Sequence, residues 1–109
     1  MRPLSIVVLI FALMSAAGVW AGAEEGATVF ATLKCALCHK PDKKAAAVSL
    51  AEIAKTYQDR DKILKLFSGE IKPLIESDNW GMMRGQIPKI QALQEPEKQD
   101  LADYILSFK

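Results

Sequence analysis

Cys35-Ala36-Leu37-Cys38-His39 holds both cysteines and the only histidine of a 109-residue chain. Two thiols three positions apart suit thioether formation with the two vinyl groups of a porphyrin, and the adjacent imidazole reaches the iron from one face. The pentapeptide therefore points to one covalently attached haem c. A chain this short has little interior of its own to bury and commonly relies on a covalent or cofactor staple. A haem would supply a large apolar body around which short helices pack, making the group structural as well as functional.

Two other uses of the cysteines fit less well. A disulfide across two intervening residues closes a tiny loop and constrains little of the unfolded chain. A redox-active Cys-x-x-Cys of thioredoxin type needs a sheet, and no run of alternating β-branched residues follows residue 24.

Residues 1–23 read as an export signal. Arg2 gives a positive start, Ile6 to Met14 are apolar, and Ala21-Gly22-Ala23 offers small residues for cleavage after Ala23. Retention as an anchor is the alternative, because about 20 apolar residues can cross a bilayer. Either way residues 24–109 form one domain outside the cytoplasm, expected to be periplasmic. All 13 acidic side chains and every basic one except Arg2 lie in that domain, so its polypeptide charge is near zero. No bulk positive field recommends nucleic acid as a partner.

The periodicity predicts an all-α domain of four or five short helices. A first helix over about 25–34, marked by Ala27 and Phe30, leads directly into the cysteines. Ser49 and Glu52 have capping-box spacing, and Leu50, Ile53, Ala54 and Tyr57 repeat at i, i+3, i+4 and i+7. Asp59 or Asp61 can start a third helix, with Ile63, Leu66 and Phe67 inward and Gly69 to end it. Pro73 and Asp78-Asn79-Trp80-Gly81 predict a long loop reaching Met82 and Met83, then a brief helical turn around Pro88. A final helix over about 95–108 tolerates Pro96 in its first turn and turns Leu101, Tyr104, Ile105 and Phe108 to one side. Phe30 and these last residues are expected to cross the first and last helices behind the haem. Tyr57 and Trp80 are candidates for the pocket wall or for a hydrogen bond to a propionate, with simple packing as the alternative.

Taken together, Cys35, Cys38, His39, the terminal helices and the late methionines resemble a class I monohaem cytochrome c of the small bacterial c-551/c-555 type. The resemblance spans residues 24–109. Gly26 and Phe30 match the small and aromatic residues of that family's first helix, and Leu101, Ala102, Tyr104 and Ile105 match its last. Met83-Arg84-Gly85-Gln86-Ile87 resembles the distal-ligand stretch. One departure stands out: the Gly-Pro pair that often follows the haem motif is Ala47-Val48 here. In relatives that proline carbonyl orients the proximal histidine, and the Val48 carbonyl can still accept from His39.

His39 is thus expected to bind iron through Nε2 while Nδ1 donates to an acceptor behind it. With no second histidine, the other axial ligand is Met83, Met82, a lysine, or none. A thioether is a soft ligand that favours ferrous iron and raises the potential, which suits a carrier, and Met83 is the favoured candidate. Core filling is the other use of an unbranched methionine. Lys34, Lys40, Lys43, Lys44, Arg84 and Lys89 are placed to steer an acidic redox partner, or simply to solvate the surface. The function expected is an electron carrier with transient protein partners and no catalysis of its own, acting as a monomer. A gas-binding haem protein and a haem subunit of an oxidoreductase complex are the alternatives.

Overall fold

A computed structural model describes residues 22–77 and 79–109; the leader reading of residues 1–23 lies outside it except for Gly22 and Ala23. The described residues form five α-helices and no strand: α1 Ala23–Thr32, α2 Leu50–Tyr57, α3 Arg60–Ser68, α4 Trp80–Gln91 and α5 Glu95–Leu106. Among them no helix is long and apolar enough to cross a membrane. The all-α expectation holds.

Local chemistry fixes four of the helix ends. The Ser49 hydroxyl accepts from the Glu52 amide at 3.0 Å and starts α2, and Asp59 does the same for Lys62 at 2.9 Å to start α3. Gly69, at φ +83°, closes α3 in the left-handed conformation that glycine adopts without a Cβ penalty. At α5 the Glu97 carboxylate accepts from the Gln94 amide at 3.0 Å, and Pro96 sits in the first turn where its missing N–H costs nothing.

The two terminal helices cross at Gly26. A methyl group built there would overlap the Asp100 carbonyl oxygen and lie 2.7 Å from Tyr104 Cβ. Beside the crossing the Phe30 and Tyr104 rings are 5.1 Å apart, and Tyr104 meets Phe108 edge-on at the same distance. Leu101, Ala102, Ile105 and Leu106 are buried against α1, α2 and α3. Arg60 locks α3 to α5 through a forked ion pair, Nε and Nη2 donating to the buried Asp103 carboxylate at 2.9 and 3.0 Å.

One expectation is corrected. Met82 and Met83 do not lie in a loop, and Pro88 does not sit in an isolated turn: α4 runs unbroken from Trp80 to Gln91 and contains all three. Its apolar stripe of Met83, Ile87 and the buried Ile90 faces the core at i, i+4 and i+7. Pro88 and Arg84, whose carbonyl loses its helical partner, are both on the exposed side where water can serve instead. At the far end the Gln91 side chain donates to the Phe67 carbonyl at 2.8 Å, fastening α4 to the end of α3. Packing therefore overrides the low helix propensity of Gly81, Gly85 and Pro88.

Candidate functional site

The helices enclose a largely apolar cleft of about 410 Å³, within the range of small-molecule and cofactor pockets. Cys35, Cys38, His39 and Met83 all line it. So do Tyr57 and Trp80, as the wall reading expected, together with Ile63 and Phe67 from α3.

The chain leaves α1 through Lys34, held at φ +61°, a left-handed conformation that a lysine adopts only against strain. That reversal starts a single 3-10 turn, Cys35–Leu37. The Cys35 carbonyl accepts from the Cys38 amide at 3.2 Å and from the His39 amide at 2.9 Å. One carbonyl thus gathers both thiols and the imidazole onto one wall. The thiols are half-buried and not bonded to each other.

His39 Nδ1 lies 2.8 Å from the Val48 carbonyl oxygen. A carbonyl only accepts, so Nδ1 carries the hydrogen, and in the neutral ring Nε2 keeps its lone pair for a metal. The replacement of Gly-Pro by Ala47-Val48 has not cost the acceptor. The loop that presents it is held by the Ala47 amide on the Cys38 carbonyl at 3.2 Å and the Leu50 amide on the Lys40 carbonyl at 2.8 Å.

Two neighbouring methionines reach the cleft from α4 but sit differently, since successive helix residues are turned by about 100°. Met83 is half-buried on the core with Ile87 and Ile90, whereas Met82 is 69% exposed. Tyr57 is buried, and its hydroxyl oxygen accepts from the Leu74 amide at 3.0 Å, leaving its own hydrogen to donate. Burial raises that hydroxyl's pKa, against a smaller lowering by the Leu74 amide, so it stays protonated.

Burial also pushes the Cys35 thiol up; a backbone hydrogen bond offsets part of this and Cys38 adds to it. A disulfide oxidoreductase needs the opposite, a thiol lowered towards neutral pH. Nor do three His, Cys, Asp or Glu side chains gather as metal ligands anywhere among the described residues. Two free thiols, one tautomer-fixed imidazole and a thioether on the wall of one apolar cleft instead fit a haem joined through sulfur. Asn79 also lines this cleft, and its side chain reaches across to the Ala46 carbonyl at 2.8 Å. No local pattern in the sequence signals that contact, because the partners are 33 residues apart.

The fold and this site agree with comparisons to known proteins. The family model for cytochrome c matches residues 23–109. The chain is 31% identical over 87 residues to cytochrome c-551 of Azotobacter vinelandii, a match that covers 79% of this chain and all of that protein. The chain belongs to the cytochrome c family, among its small class I monohaem members related to cytochrome c-551.

Proposed function

We propose that the chain is an exported, periplasmic electron carrier in which Cys35 and Cys38 would hold one haem c and His39 Nε2 and the Met83 sulfur would bind its iron. The bound haem supplies an iron that alternates between the ferric and ferrous states. The observation that carries the reading is the convergence of all four side chains on one apolar cleft.

Each side chain has a distinct task. The thioethers fix the group to the end of α1. The Val48 carbonyl holds the His39 ring in one orientation and makes Nε2 the more basic donor. Met83 would offer a soft sulfur, one that favours ferrous iron, from a helix whose apolar stripe is anchored in the core. Phe30, Ile63 and Phe67 are buried and give the cleft an apolar inner wall. Tyr57 and Trp80 are the donors we assign to the propionates.

The cleft's rim suits brief encounters. Leu37 and Met82 are 73% and 69% exposed, and Lys34 and Lys89 line the same cleft. An apolar spot flanked by cations suits a small, salt-sensitive contact with an acidic redox protein.

A redox titration of the holoprotein from its native host tests the reading. We expect a single reversible one-electron transition and a ferrous form that binds carbon monoxide poorly, because the sixth site is filled. Stoichiometric carbon monoxide binding at low gas pressure would instead favour a gas-binding protein.

A further inference from the structure

We propose that Asn79 is a positioning residue that ties the His39 side of the cleft to the Met83 side and so restricts entry of outside ligands to the iron. This rests on the assignment of Met83 as axial ligand. The Asn79 side-chain amide donates to the Ala46 carbonyl at 2.8 Å. Its backbone carbonyl accepts from Met82 at 3.0 Å and from Met83 at 3.4 Å, which starts the first turn of α4. Ala46 in turn precedes the Ala47-Val48 pair that holds the His39 side: the Ala47 amide donates to the Cys38 carbonyl, and the Val48 carbonyl accepts from His39.

A continuous strap thus runs from imidazole to thioether along the protein and without the iron. Among the described residues, the Asn79–Ala46 bond is the one hydrogen bond joining residues 40–48 to residues 70–91. Both of its residues line the cleft. Ser77 presets the geometry, its hydroxyl accepting from the Asn79 amide at 3.2 Å. Without the strap, the hydrogen bond that fastens α4 lies at its far end, from Gln91 to the Phe67 carbonyl. Its start is then held by packing alone, Trp80 in the cleft wall and Met83, Ile87 and Ile90 on the core. Opening that swings Met83 away from the cleft then needs one hydrogen bond fewer.

Imidazole titration of the ferric holoprotein reads that opening directly, because imidazole binds only where the sulfur has left. We expect Asn79→Ala to raise the imidazole association constant about fivefold, the equilibrium equivalent of one neutral hydrogen bond. Asn79→Asp keeps the shape but loses the donor, and it should rise at least as far. Asp59→Ala removes the α3 cap and lowers the melting temperature by a similar mechanism of lost local stability, yet it should leave imidazole affinity within twofold of the parent. An unchanged affinity in both Asn79 variants, or an equal rise in Asp59→Ala, overturns the strap. The weak far-red absorption of sulfur-bound ferric iron in the parent keeps the two readings apart: if it is absent, Met83 ligation falls and the strap with it.

Discussion

Gly26→Ala is expected to destabilise the protein by about 2–3 kcal/mol, the upper part of the range for overpacked interiors. The added methyl meets backbone rather than a flexible side chain: it would overlap the Asp100 carbonyl oxygen and stand 2.6 Å from that carbonyl carbon. Neither helix can yield locally, so α1 and α5 must separate along a crossing packed with Phe30, Leu101, Ala102 and Ile105. The gain of about 1 kcal/mol in helix propensity from glycine to alanine does not offset this. Equilibrium denaturation of the holoprotein measures it. Gly81→Ala is the matched control, since a methyl there meets nothing within 4 Å, and it should be neutral or slightly stabilising. Equal stability of the Gly26 variant and its parent would contradict the close crossing.

The second large effect concerns the distal ligand. Met83→Ala should abolish the weak far-red ferric absorption of sulfur ligation, make the ferrous form bind carbon monoxide, and lower the reduction potential by on the order of 0.1 V or more, within the ~0.8 V that axial ligands span. The direction follows from the preference of a thioether for ferrous iron. Met82→Ala should leave all three properties near the parent's, because that side chain is 69% exposed while Met83 packs on the core. If the absorption survives in the Met83 variant and vanishes in the Met82 variant, the ligand is Met82. Survival in both removes methionine from the iron altogether.

These two cases also mark how far the sequence could be read. The Cys35–His39 pentapeptide is contiguous, so the chemistry it points to is visible without a fold. The helix ends at Ser49, Asp59 and Gly69 are equally local, each decided by one side chain acting within three or four residues. Resemblance to a family pointed to Gly26 as a small residue and to Val48 as the acceptor for His39, but the distances that give them force come from α5 and from the loop after the motif. Helix α4 is hidden in the sequence because Gly81, Gly85 and Pro88 all argue against a helix locally, and only three apolar positions, Met83, Ile87 and Ile90, argue for one. What decides it is the core those three pack against. The Arg60–Asp103 pair and the Asn79–Ala46 strap, 43 and 33 residues apart, left no trace in any local window.

The proposed function requires two sulfur–carbon bonds between this chain and a porphyrin. The mass of the acid-denatured protein, taken from its native host and extracted with organic solvent, tests them most directly. The pigment is expected to stay with the polypeptide, and the mass to exceed that of the chain by one haem. Colourless polypeptide at the mass of the chain alone, with the pigment in the solvent, would contradict it.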